Sequence, residues 1–282
     1  VDQLMVSDGV VSVKGTPGKK VAYGELIGGK HFDVRMEWNK HYGNELAVKG
    51  KAKPKSPSEY KIIGKPGTRR RDIAPKVLGT AENMVDVKLP GMVYATIEQS
   101  PVIGGTVKSF DASRAKAMPG VVDVVQIADG VAVVADTFWV ARTAMDQVKI
   151  EWDLGPNAQV SSASIEAMLN EGLQAEQAFV GNQSGDIRNA KAQASSTHSS
   201  RYFYPFLNHA PLEPMNATAR WTPERCEAWV PTQDGEASLA AVIEASGLRA
   251  EQCDVNKINL GGGFGRRGAF QDYTTQVVNI AK

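Results

Sequence analysis

The chain has 282 residues, 42% hydrophobic and 22% charged, a composition that supports globular cores. Its formal net charge of +1 sets up no global field to recruit nucleic acid or an anionic membrane surface, and no apolar run approaches the roughly 18 residues a bilayer-spanning helix needs. Two cysteines, Cys226 and Cys253, lie far apart without a CxxC motif, so zinc and dithiol-redox chemistry have no support, an iron–sulfur cluster cannot be held by this chain alone, and both read as buried thiols.

Along the chain, Val10–Val13 is a short strand-like run, Tyr23–Ile27 begins a short helix or turn, and residues 32–38 alternate as a half-buried strand does. Residues 49–71 shift to Lys and Arg interleaved with Pro54, Pro57 and Pro66. With no aromatic interleaving or recognition helix, this stretch reads as a solvated, extended linker and not as a nucleic-acid surface.

Residues 76–153 predict one α+β unit, with strands at 91–97, 106–110, Val121–Ile127 and 131–135. The last two are joined across Ala128-Asp129-Gly130, a hairpin signal. Asp111 can cap a helix over 112–117 that Pro119-Gly120 stops, and Thr137 starts a helix with Phe138, Ala141 and Met145 on one face. A strand at 149–152 closes the unit, and continuous apolar pairs such as Val121-Val122 predict burial on both faces. A helix follows near 164–173, and the polar stretch 193–200 leads toward a strand.

Chemistry-bearing patterns accumulate after residue 200. Residues 255–260 predict a strand, Gly261-Gly262-Gly263-Phe264-Gly265-Arg266-Arg267-Gly268 a glycine loop, and residues 270–280 a helix with Phe270, Tyr273, Val277 and Ile280 apolar. That layout suits phosphate: glycines admit positive φ and close approach, a helix N-terminus favours anions, and Arg266 and Arg267 are fork-shaped donors. Residues 263–268 also fit the GxGxxG dinucleotide fingerprint, while a tight packing turn explains the loop without any ligand. In Asn208-His209-Ala210-Pro211-Leu212-Glu213-Pro214, His209 and Glu213 suggest metal or acid–base chemistry. The two prolines forbid helical ligand spacing, which favours a structural Glu213 that accepts backbone N–H bonds. A third segment is a strand from Cys226 ending in Pro231-Thr232-Gln233. Asp234 then caps a helix with Leu239, Val242 and Ile243 on one face and Gly247 at its end, leaving Gln233 at a strand–helix turn.

HAPLEP (209–214), PTQ (231–233) and GGGFGRRG (261–268), in that order, resemble the xanthine oxidase family of molybdenum hydroxylases, and most of all its isoquinoline 1-oxidoreductase beta-subunit and aldehyde dehydrogenase large-subunit group. Residues 68–81, Pro101-Val102-Ile103-Gly104-Gly105 and Pro119-Gly120-Val121 are similar to the same group. The resemblance implies an α+β architecture with a small α/β hammerhead domain over 66–160. Residues 1–65 would be a segment of the molybdopterin-binding region with a basic linker, and 161–282 the first part of the molybdopterin-binding domain. It implies a molybdenum–molybdopterin cofactor, in the cytosine dinucleotide form common in bacteria, lined by Gln233, Gly262, Gly263, Phe264, Gly265, Arg266 and Arg267, with no side chain of this chain ligating the metal.

The implied activity is hydroxylation of an N-heteroaromatic ring or oxidation of an aldehyde, with water as oxygen source and electrons passed to a small [2Fe–2S] subunit. A cytochrome c subunit and the rest of the large subunit are further expected partners. The expected compartment is the bacterial periplasm or cytoplasm, with the periplasm favoured. Gly268 stands where purine-oxidising members carry an acidic residue, which argues against xanthine as substrate. The family's catalytic glutamate falls late in the subunit, past residue 282, so no catalytic residue is assigned here. The absence of an initiator Met and a C-terminal stretch that reads as an interrupted helix lead us to expect a piece of a longer chain, inactive alone. The rival readings are a non-catalytic cofactor-binding scaffold and an NAD-dependent dehydrogenase.

Overall fold

A computed structural model describes residues 3–28, 55–176, 179–182 and 184–282, so the strand expected at 32–38 and the basic residues at 49–54 lie outside the described residues. The chain divides into two units, Val1–Ala74 and Pro75–Lys282. In the first, β1 (Leu4–Ser7), β2 (Val10–Val13) and β3 (Thr16–Ala22) form an antiparallel sheet in that order, followed by α1 (Tyr23–Ile27), which ends at Gly28 in the left-handed region. The described part of 55–71 contains one short 3-10 turn, Pro57–Glu59. Helix α2 (Ile73–Leu78) crosses the division in sequence.

The second unit mixes helix and strand throughout. Its first half holds β4 (Tyr94–Gln99), β5 (Thr106–Asp111), α3 (Ser113–Lys116), β6 (Val121–Ile127), β7 (Gly130–Ala135), α4 (Phe138–Met145) and β8 (Lys149–Asp153). Strand β7 is central in the antiparallel order β4-β7-β6, while β5 pairs with β8. All six residues of β7 are buried, with Val131 and Val133 packed against Ala115, Ala144 and Met145. Burial of such valines stabilises by about 1.5–3 kcal/mol each.

Two expectations change here, and a third holds for an added reason. Burial on both faces belongs to central β7 and not to edge strand β6, where Val122 is 58% exposed. Phe138, the first residue after the Thr137 cap, points to solvent, and Ala141, Ala144 and Met145 form the buried face of α4. The hairpin expected across Ala128-Asp129-Gly130 is formed, with Ile127 opposite Gly130. Gly130 itself lies in β7, where a Cβ would come 2.5 Å from the Glu98 carbonyl oxygen of β4. The glycine therefore permits close strand approach.

Helices α5 (Ser162–Gly172) and α6 (Ile187–Gln193) follow, each capped by a side-chain oxygen, from Ser161 and Asp186. Residues 193–200 do not lead into a strand: from 194 to 217 the backbone is irregular until β9 (Thr218–Trp221). Then come β10 (Cys226–Val230), α7 (Gly235–Ser246), β11 (Cys253–Lys257) and α8 (Asp272–Ala281). Strand β10 is central, antiparallel to β9 and parallel to β11. Alternation in β10 turns Cys226, Ala228 and Val230 inward onto Val242 of α7 and Tyr273 and Val278 of α8. Phe270 lies before α8 and is exposed, and Val278 supplies the buried apolar position.

Cys226 and Cys253 are register partners on β10 and β11, both buried and free. Burial, helped by Cys253 and Glu227, pushes the Cys226 thiol from 9.0 up to about 11. The folded state therefore holds this proton more tightly than the unfolded chain does. That contribution is fully present below pH 9 and is lost as pH rises through 11. Urea unfolding should show stability falling between pH 9 and 11 by up to about 2–3 kcal/mol, two pH units at about 1.4 each, and a Cys226→Ala variant should fall less over that window. Gly130→Ala should cost about 1–3 kcal/mol in the same assay, through its collision with β4.

Candidate cofactor site

The parallel pairing of β10 and β11, with Val230 opposite Lys257, brings the carboxyl ends of both strands to one edge. In open α/β sheets, that edge is where ligands are held. The segment after β10 is Pro231-Thr232-Gln233 and the segment after β11 is the glycine loop, and they join directly: the Gln233 N–H donates to the Arg267 carbonyl at 2.8 Å. Beneath them the buried side chains of Thr232, Ser238, Gln271 and Thr274 are hydrogen-bonded to one another and to the backbone of Asp234 and Gly268. Burial pushes the neighbouring Tyr273 phenol above its ordinary range.

The HAPLEP segment lies along the other side of the loop. Glu213 is 7% exposed, and both carboxylate oxygens are engaged: Val85 N–H donates at 3.0 Å and Gly261 N–H at 2.9 Å. The Glu213 N–H returns a bond to the Gly261 carbonyl at 3.1 Å. Arg267, with no exposed surface, places Nη2 3.0 Å from the Glu213 carboxylate. The structural role of Glu213 thus holds, but its backbone donors come from distant segments and not from its own kinked loop. His209 is exposed, as is Leu212. Among the described residues, no three His, Cys, Asp or Glu side chains cluster as metal ligands.

Two glycines are fixed by contact. A Cβ on Gly261 would sit 2.4 Å from the Glu213 Cβ, and one on Gly263 would sit 2.7 Å from the Gln233 Oε1. Gln233 therefore lies with its carboxamide against the bare face of Gly263. Gly262 (φ 101°), Phe264 (φ 53°) and Gly265 (φ 93°) take left-handed backbone, and Ala210 (φ 38°) does so in the facing segment. A positive φ at a bulky non-glycine residue such as Phe264 is a strained conformation of the kind that gathers at functional sites. The Phe264 ring is 77% exposed. The amides of Gly262, Gly263, Phe264 and Gly265 find no acceptor among the described residues, although Gly263 is buried. Successive free N–H groups in a left-handed turn form an anion-receiving concavity.

Helix α8 begins only at Asp272, whose carboxylate is held by Arg266 through bonds of 2.8 and 2.6 Å. Asp272 holds the Arg266 guanidinium further above its ordinary range. The expected order of strand, glycine loop and helix is formed, but Arg266 is turned to Asp272 and Arg267 to Glu213. Sequence reasoning also missed Val85 and the Asn83–Asn259 bridge that brings residues 82–86 to the loop. The signal available was Glu213 itself, since a buried carboxylate needs a cation.

The described site is a strand-end glycine loop with free backbone donors and one carboxamide, an arrangement suited to a polar, anionic group. The molybdopterin cofactor-binding domain family matches residues 170–281. The chain is 28% identical to the beta chain of isoquinoline 1-oxidoreductase from Brevundimonas diminuta, over all of this chain and 40% of that protein. It is 25% identical to a nicotinate dehydrogenase subunit from Pseudomonas putida, over 95% of this chain and 22% of that one. Of solved structures, the Cu,Mo-CO dehydrogenase matches with a TM-score of 0.55 at 22% identity, over 75% of this chain and 33% of that one. The aldehyde oxidoreductase from Desulfovibrio gigas gives 0.56 at 19%, over 75% and 29%. The match over residues 170–281 is to the molybdopterin cofactor-binding domain, and the chain spans less than half the length of these relatives.

Gly261→Ala should push Glu213 off the loop and cost about 1–3 kcal/mol in urea unfolding. Gly265→Ala meets no atom within 4 Å and should cost about 1 kcal/mol, from its backbone conformation alone.

Proposed function

We propose that this chain forms part of the molybdopterin site of an enzyme that hydroxylates an N-heteroaromatic ring, with aldehyde oxidation as the second substrate class. The carrying observation is the set of four consecutive free amides, Gly262 to Gly265, beside the Gln233 carboxamide. These are neutral donors, with one acceptor packed on the Cβ-excluding Gly263, and they suit the phosphate and pterin groups of such a cofactor. Relatives named for isoquinoline, nicotinate and nicotine favour the heteroaromatic class, and one named as a membrane-bound aldehyde dehydrogenase supports the other.

When bound, the molybdenum centre supplies a two-electron oxidation with water as the oxygen source. This chain's residues bind and orient. The loop amides receive anionic oxygens, Gln233 offers one donor and one acceptor at a fixed position, and Phe264 presents an exposed aromatic face. Glu213 is not the proton acceptor, because Val85, Gly261 and Arg267 occupy its carboxylate. A base for the water comes from sequence outside these residues.

In this reading, residues 66–160 are a hammerhead domain and 161–282 the start of the cofactor-binding domain. The cofactor is the cytosine dinucleotide form. Electrons leave through a small [2Fe–2S] subunit, with a cytochrome c subunit as a further partner. Relatives named as subunits support an assembly of this kind, and the periplasm is the proposed compartment.

The intact protein, purified with its partners, should contain molybdenum by elemental analysis and a pterin by fluorescence after oxidation. It should also place oxygen from labelled water on an N-heteroaromatic substrate. Absence of both molybdenum and pterin would sink the proposal, while turnover of aldehydes alone would move it to the second class.

A further inference from the structure

Arg267 uses its guanidinium unevenly. Nη2 alone meets three acceptors, the Glu213 carbonyl at 2.8 Å, the Pro214 carbonyl at 3.3 Å and the Glu213 carboxylate at 3.0 Å, while Nε and Nη1 have no hydrogen-bond partner. Burial pulls the Arg267 pKa down and Glu213 opposes it. A sealed-in charge with two idle donors is costly, and an apolar side chain would serve better as plain packing. What the arrangement achieves is a connection. Glu213 holds the Gly261 N–H at the start of the loop, Arg267 stands near its end, and the Arg267 carbonyl receives the Gln233 N–H. One ion pair thus sets both ends of the turn and the position of Gln233.

We propose that Glu213 and Arg267 are a positioning pair that holds the loop in its cofactor-accepting shape, so that retention of the cofactor depends on their contact. This rests on the cofactor reading above. The three acceptors at Nη2 match the three donors of an ammonium, so Arg267→Lys preserves the connection and Arg267→Met does not. Glu213→Gln removes the charge and turns a donor toward Val85 or Gly261.

The test measures molybdenum and pterin per folded intact protein, purified with its partner subunits. It compares wild type, R267K, R267M and E213Q with V242A, a core variant outside the loop chosen for a comparable loss of Tm. R267M and E213Q should lose about tenfold or more of both, as loss of supporting partners commonly does. R267K and V242A should stay near wild type. The proposal is overturned if R267M retains wild-type loading, if R267K loads as poorly as R267M, or if V242A loses as much at equal Tm. Wild type without molybdenum and pterin overturns the cofactor reading, and the positioning claim with it. Loaded wild type with loaded R267M overturns the positioning claim alone.

Discussion

The buried ion pair of Glu213 and Arg267 is the constraint on which the site depends. The two residues lie 54 positions apart, on segments with no regular secondary structure. Burying one charge without the other would be prohibitive, and breaking such a pair typically costs about 3–5 kcal/mol. Once the pair forms, the rest follows by contact. Gly261 must be glycine because Glu213 packs on it, Val85 and residues 82–86 are drawn in by the second carboxylate oxygen, and the loop turns back so that its carbonyl meets Gln233.

The sheet sets where this happens. With β10 and β11 parallel and joined through α7, their carboxyl ends emerge side by side, and the segments that follow are the ones with chemical character. The buried hydroxyl and amide groups under the turn, Thr232, Ser238, Gln271 and Thr274, satisfy backbone that would otherwise be stranded below it. The free amides above are then the groups left for a ligand. The same protein therefore saturates one side of the loop and leaves the other open.

Much of this was legible in the sequence because it is local. The Asp234 cap, the Gly247 stop, the strands at β5, β7 and β10, and the three ordered motifs all depend on near neighbours. The failures concern direction and distance. Periodicity put Phe138 and Phe270 on buried faces, but each sits at the entrance of its helix, where the chain still points outward. The hairpin at Ala128-Asp129-Gly130 was read correctly, but the need for glycine at its end comes from β4, about 30 residues away. Arg266 and Arg267 looked like phosphate donors because their partners, Asp272 six residues on and Glu213 far upstream, cannot be inferred from the loop itself. Long-range pairing of charges is invisible to local pattern.

Under the proposed function, the amides of Gly262 to Gly265 receive the cofactor. Residue-resolved hydrogen exchange on the intact protein, cofactor-loaded against cofactor-free, measures them directly. The account predicts strong protection of these amides on loading, with the Gly261 amide protected in both states because Glu213 already holds it. Unchanged, rapid exchange at Gly262 to Gly265 in protein shown to contain the pterin would contradict it.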